Sequence, residues 1–170
     1  MSARVLGFGV AAATLLLDQA NKLWLLDVYG IANRGPVRLA PFFDVVMARN
    51  PGISYSLLSA HTAAGRWGLV AFAVAATAVI GVWLWRTDTR VVALGLGLIL
   101  GGALGNAVDR FSYGWVADFY YFHVGSFHWY VFNLADVAIV GGVVLLLMDS
   151  CFGAPRVARP HSPVLPPQDG

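Results

Sequence analysis

GGALGNAVDRFSYGWVADFYYFHVGSFHWYVFNLAD, residues 101 to 136, decides how this chain is read. It sets three aspartates, Asp109, Asp118 and Asp136, inside or beside long apolar segments. A carboxylate at membrane depth is costly, so an ionisable residue there marks a functional site by default. Asp109 is followed directly by a cation, Arg110. Asp118 and Asp136 have no Lys, Arg or His within four residues on either side. Carboxyl groups in apolar surroundings without local counter-ions favour the protonated form. Brought together, such a pair would share a proton, one acid and one base ready to activate a water.

Composition places the whole chain in the same setting. Of its 170 residues, 58% are hydrophobic and only 12% charged, about half the charge of a soluble domain. The class is integral membrane protein. A net charge of +2 is too small to argue for a nucleic-acid partner. The single cysteine, Cys151, excludes an internal disulfide and a cysteine-based metal cluster. His61, His123, His128 and His161 lack the HExxH-type spacing, so no metal site is expected. Arg4 followed by the apolar run Val5 to Leu17 looks like a signal peptide. No small-x-small cleavage site follows it, and a retained first span is expected.

Outward from the central stretch, the chain divides into four apolar spans. The first covers about 5–26. Asp18 and Lys22 stand at i,i+4 on it with the acid N-terminal, the favourable order for a helical ion pair, and Asn21 shares their face. Two readings stay open: a neutralised pair at the interface with Lys22 snorkelling outward, or a polar stripe lining a site. Between spans, Asn33-Arg34-Gly35-Pro36 and Asn50-Pro51-Gly52 are turn signals. The residues from Val37 to Asn50 read as one or two strands, and Ser56 to His61 as a short interfacial helix. Span two, 67–85, is bracketed by Arg66 and Arg86 and reads as structural. After the polar turn 86–90, span three covers 91–108. Gly97, Gly101 and Gly105 form a ridge for close helix packing that leads to Asp109, with Gly102, Asn106 and Arg110 in the adjacent row. Residues 111–130 read as an irregular aromatic belt at the interface, holding His123 and His128. Span four covers 131–148, with Asn133 and Asp136 at i,i+3. One loop joins spans three and four, which places Asp109, Asp118 and Asp136 at a common depth. Residues 151–170, with five prolines, read as a disordered tail, and Cys151 as a bystander at the interface. Even span number puts both termini on one side. Five cations on the terminal side against six on the other leave orientation open.

The motifs together resemble the lipoprotein signal peptidase (signal peptidase II) family. The matching segments are Asp18-Gln19-Ala20-Asn21-Lys22, Asn50-Pro51-Gly52, the run Gly101 to Arg110, Val116-Ala117-Asp118-Phe119, and Phe132-Asn133-Leu134-Ala135-Asp136. Two departures stand out: Asn21 where the family usually has Thr or Ser, and Ile53-Ser54-Tyr55-Ser56 where a small residue followed by Phe is commoner. The resemblance implies an all-α membrane protein of four transmembrane helices with a small extracytoplasmic β-cradle, built largely from the first long loop. Residues 1–150 would form a single peptidase domain and 151–170 a cytoplasmic tail. It implies an intramembrane aspartyl endopeptidase of the bacterial cytoplasmic (inner) membrane, with both termini cytoplasmic. The substrate would be a diacylglyceryl prolipoprotein, cut just before its lipidated cysteine. By motif matching, Asp118 and Asp136 are the catalytic dyad. Asn50, Gly52, Asn106, Arg110 and Asn133 bind substrate or order the site, and Asp18, Lys22 and Asp109 support it. No cofactor and no metal are implied. The partners the resemblance implies are membrane lipid and the prolipoprotein, with no nucleic acid, and the chain is expected to act as a monomer. Two other classes of protein carry buried carboxylates or glycine ridges. A self-contained proton-coupled carrier is disfavoured by four spans without internal repeats. A scaffold assembled on the glycine ridge leaves two buried carboxylates without a purpose.

Overall fold

The structure, a computed structural model, describes residues 1–52 and 63–152. The interfacial helix expected at 56–61 and the tail beyond 152 lie outside the described residues. Helix α1, Ala3–Leu23, opens with Ser2 accepting from the Val5 N–H and runs on through a π-type turn, Trp24–Val28. Helices α2, Ala63–Arg86, and α3, Arg90–Tyr113, are joined by a short turn. Helix α4 covers Leu134–Phe152. All four are long and apolar enough to cross a membrane.

Several helix ends differ from the expected spans, those around the site for local reasons. α3 continues past 108, so Asp109 and Arg110 are helical. It stops at Gly114, whose left-handed backbone (φ 82°) lets its N–H bond back to the Arg110 carbonyl. α4 begins at Leu134 rather than 131, because Phe132 is paired with Tyr120 as a β-bridge. α4 also extends to Phe152 and takes Cys151 into its last turn.

α3 is the central helix. Of its most apolar stretch 56% is buried, against 22% for α1, 17% for α2 and 11% for α4. Lipid is as apolar as leucine, so no hydrophobic force drives these helices together and close backbone contact has to do it. The α3 glycines permit that contact on two sides. A Cβ at Gly101 would lie 2.5 Å from the Ala11 carbonyl oxygen of α1, and one at Gly102 would lie 2.5 Å from the Ala135 carbonyl oxygen of α4. Leu84, Val92, Ala93, Leu96 and Leu100 fill the remaining core. Leu16, Leu17, Phe72, Val79, Val140 and Leu147 stay exposed on the outer faces, where a bilayer would cover them.

An antiparallel sheet caps one end of the bundle in the order β1-β2-β3-β4. β1 is Val37–Ala40 and β2 is Phe43–Asn50, both inside the stretch read as strands. β3, Val116–Val124, and β4, Phe127–His128, fall in the segment expected to be irregular. The sheet is therefore built from both connections, not largely from the first. β2 pairs Val45 with Tyr120 and Ala48 with Asp118, so Val46 and Met47 together oppose Phe119. That bulge bends the strand beside Asp118, a common position for bulges near functional sites.

Candidate active site

Residues from α1, α3, α4, β2 and β3 converge where the sheet meets the helix ends. The sequence Asn133-Leu134-Ala135-Asp136 forms the first turn of α4 as a reciprocal cap. The Asp136 N–H donates to Asn133 Oδ1 (3.0 Å), and the Asn133 N–H donates to Asp136 Oδ2 (3.2 Å). This is capping-box geometry with Asn and Asp in the two roles. It explains the i,i+3 spacing: each side chain satisfies a backbone donor that the helix start leaves open. The same Asn133 amide, fully buried, donates to Asp118 Oδ1 at 2.7 Å and to Asn106 Oδ1 at 3.1 Å. One side chain thus links both candidate carboxylates.

Asp118 stands on β3 at 2% exposure. Its second oxygen accepts from Asn50 Nδ2 at 3.1 Å. Asn50 faces Val116 across the β2–β3 pair while Ala48 faces Asp118, so Asn50 and Asp118 are diagonal neighbours on one sheet face. The Gly52 N–H holds Asn50 Oδ1 at 3.2 Å, an Asx turn that leaves the Asn50 amide nitrogen free to point at the carboxylate. Burial first, and the Asp136 carboxylate second, push the Asp118 pKa up from 3.8 to about 6. The hydrogen bonds from Asn50 and Asn133, and the Lys22 charge, oppose that rise.

Behind the pair lies a buried ionic cluster. The Lys22 ammonium donates to Asp18 Oδ2 (2.8 Å), Asp109 Oδ2 (2.8 Å) and Asn106 Oδ1 (3.3 Å), matching its three N–H bonds with three acceptors. Its side chain is 3% exposed. Of the two readings of Asp18 and Lys22, the inward polar stripe is the one found, and Lys22 does not snorkel. Asn106 turns its other end, Nδ2, to Asp136 Oδ1 at 2.9 Å. Asp18 Oδ1 also accepts the Ala135 N–H of α4, and Asp109 Oδ2 the Ala117 N–H of β3, each at 3.0 Å. Gly105 makes the room, since a Cβ there would lie 2.5 Å from Asp18 Oδ2.

Arg110 donates from Nη1 to the Asn106 carbonyl (3.3 Å). Its Nε is buried with no hydrogen-bond partner among the described residues, so the guanidinium keeps a donor in reserve near the carboxylates. Three groups went unrecognised in the sequence. Gln19 Nε2 bridges Asp18 Oδ2, the Gly105 carbonyl and Asp109 Oδ1 at 3.0 to 3.2 Å; an amide in an apolar helix was its only signal. The Ala117 and Ala135 N–H groups gave no signal at all. His123 and His128 lie farther along the sheet, with His123 Nε2 3.1 Å from Asp44 Oδ2 and His128 Nδ1 2.7 Å from the Tyr121 hydroxyl.

A protein-family model described as signal peptidase (SPase) II matches residues 10–152. The chain belongs to the signal peptidase II family. The matched range contains every site residue from Asp18 to Asp136. A lipoprotein signal peptidase of Methylocella silvestris is 66% identical over 154 residues, covering 91% of this chain and 90% of the relative. One from Beijerinckia indica is 63% identical over 150 residues, covering 88% and 90%. A bacterial membrane enzyme structure determined in meso at 1.9 Å resolution superposes with a TM-score of 0.74 at 20% identity, covering 87% of this chain and 94% of its own. At that identity the likeness speaks for the fold alone. Family membership makes this chain a multi-pass membrane peptidase.

Proposed function

We propose that this protein is an intramembrane aspartyl endopeptidase that removes signal peptides from diacylglyceryl-modified bacterial prolipoproteins, cutting just before the lipidated cysteine. The observation that carries the reading is the Asn133 side chain. Its amide holds Asp118 while its carbonyl oxygen takes the backbone N–H of Asp136. Two carboxylates from different elements, one of them raised to about 6, are what water activation without a metal requires. The relatives named lipoprotein signal peptidase supply the substrate class.

In the proposed reaction one carboxylate takes a proton from a water held between the pair. The water oxygen attacks the scissile carbonyl carbon, and the partner carboxyl donates its proton to the carbonyl oxygen as the C=O π bond opens. The tetrahedral intermediate then collapses: one of its hydroxyls returns a proton to the partner carboxylate, and the proton taken from water goes to the leaving amine. The two groups titrate as a unit, so the roles belong to the pair. The half-buried Arg110 guanidinium, with its buried Nε lacking a partner among the described residues, supports the developing oxyanion or grips a neighbouring carbonyl. Even span number puts both termini on one face. In this reading that face is cytoplasmic, and the sheet end lies at the extracytoplasmic surface of the inner membrane. There, water and lipid both have access. The enzyme acts as a monomer.

The test is signal-peptide loss from a purified diacylglyceryl prolipoprotein in liposomes. Wild type is expected to cleave, and Asp118→Asn and Asp136→Asn to lose cleavage while remaining folded. Cleavage surviving both substitutions would overturn the aspartyl mechanism. Failure of folded wild type to cleave would overturn the substrate assignment.

A further inference from the structure

A cavity of about 260 Å³ opens between the end of α1 and the underside of the sheet. Its walls include Trp24, Tyr29, Val37, Leu39 and, at the base, Asn21 and Tyr120. The π-type turn creates it: the Tyr29 N–H reaches back to the Trp24 carbonyl at 2.7 Å, and the two rings stack at 5.5 Å. Such turns recur at functional sites. The base carries no unmet polar demand, since the Tyr120 hydroxyl donates to Asn21 Oδ1 at 3.0 Å. The remaining lining is apolar. Trp24 and Leu39, 51% and 62% exposed, form the open edge of the cavity, next to the end of a helix long and apolar enough to cross a membrane. Beside the cavity, the Arg34 guanidinium lies 4.6 Å over the ring of Tyr29, one of the lining residues, with its N–H donors within reach of an ester or phosphate at that edge.

We infer that this cavity is the subsite for one acyl chain of the substrate's diacylglyceryl group; the inference rests on the peptidase reading. Tyr120 follows Asp118 by two residues on the same face of β3, a distance of about 7 Å along the strand. A thioether-linked glycerol on the residue next to the scissile bond spans a gap of that size. Its ester carbonyls then come under Arg34, and the chain enters between Trp24 and Leu39. The volume fits a segment of one chain, because cavities that enclose whole drug-sized ligands run from roughly 300 to 1,000 Å³. A chain leaving lipid for an apolar cavity gains little hydrophobic free energy. The subsite therefore works by fixing the register of the scissile bond, and its effect falls on kcat more than on KM.

The experiment compares two prolipoprotein peptides in phospholipid-free detergent, one with long and one with very short acyl chains on the same glyceryl cysteine. Wild type is expected to turn over the long-chain peptide faster. Val37→Trp, which fills the cavity, should lower kcat for that peptide about tenfold with KM within about twofold, and leave the short-chain rate unchanged. Should Val37→Trp misfold, Leu39→Trp at the exposed mouth decides by the same comparison. Equal slowing of both peptides, or no change in either, would overturn the acyl subsite. So would a filling effect that appears only when phospholipid is added, which would assign the cavity to a bilayer lipid. If folded wild type cleaves neither peptide, the prolipoprotein substrate assignment on which the inference rests falls instead.

Discussion

Asp118 is the residue whose surroundings say most about the chemistry. Its carboxyl is protonated up to about pH 6 chiefly because burial strips it of water, and then because Asp136 stands near. The proposed reaction needs one proton shared by the pair. That proton is held below about 6 and lost above it, so kcat/KM should fall as pH rises through about 6. The sign for stability runs the same way. A raised folded-state pKa favours the protonated form, so its contribution is complete below 3.8 and gone above about 6. Asn50 donates to the carboxylate form and so opposes the rise. Asn50→Ala should therefore shift the basic limb of the pH–rate profile upward. A limb that stays in place or moves down would show that this hydrogen bond does not tune the pair.

At the scale of elements, α3 is the support on which the site is assembled, and its glycines determine how near α1 and α4 can come. A side chain at Gly101 would place Cβ 2.5 Å from the Ala11 carbonyl oxygen and 2.6 Å from Thr14 Cβ. Because the first obstacle is backbone, a helix has to move. Gly101→Leu should destabilise the folded protein by about 3 kcal/mol or more. At Gly141 on α4 a Cβ would meet nothing within 4 Å, and Gly141→Leu should be neutral or stabilising. Unfolding of both variants in detergent checks the pair; equal behaviour would remove the close-packing argument. That glycine ridge was legible from spacing alone, as were the four spans and the strands at 37–50. β3 was not. Val116 to Phe119 are all buried, so the strand lacks the in-out alternation that marks a half-exposed one. Its tyrosines and phenylalanines matched an interfacial belt equally well. The bulge opposite Phe119 left no trace either, since it depends on pairing between segments far apart in sequence. The asparagines could be named in advance, but not their linkage through the one amide of Asn133.

Across the whole molecule, the Lys22 cluster joins parts that the chain brings in separately. Asp18 comes from α1 and reaches the first turn of α4, Asp109 comes from α3 and reaches β3, and Lys22 sits between them. Sheet and bundle are thus fixed to each other through one buried ammonium, and through Asn106 that ammonium also orients a donor to Asp136. Removing it leaves two buried carboxylates without their counter-ion, which costs about 3–5 kcal/mol when one partner of a buried pair is lost. Lys22→Met is therefore expected to unfold much more readily than wild type in detergent and to lose activity as a consequence. Asp118→Asn removes a carboxyl that burial already disfavours in its charged form, and should lose activity with its fold intact. Placed side by side, the two variants separate support from chemistry: both inactive, only one unstable. A Lys22→Met protein as stable as wild type would mean that packing of the helices alone holds the sheet in place, and that the cluster acts on the pair directly.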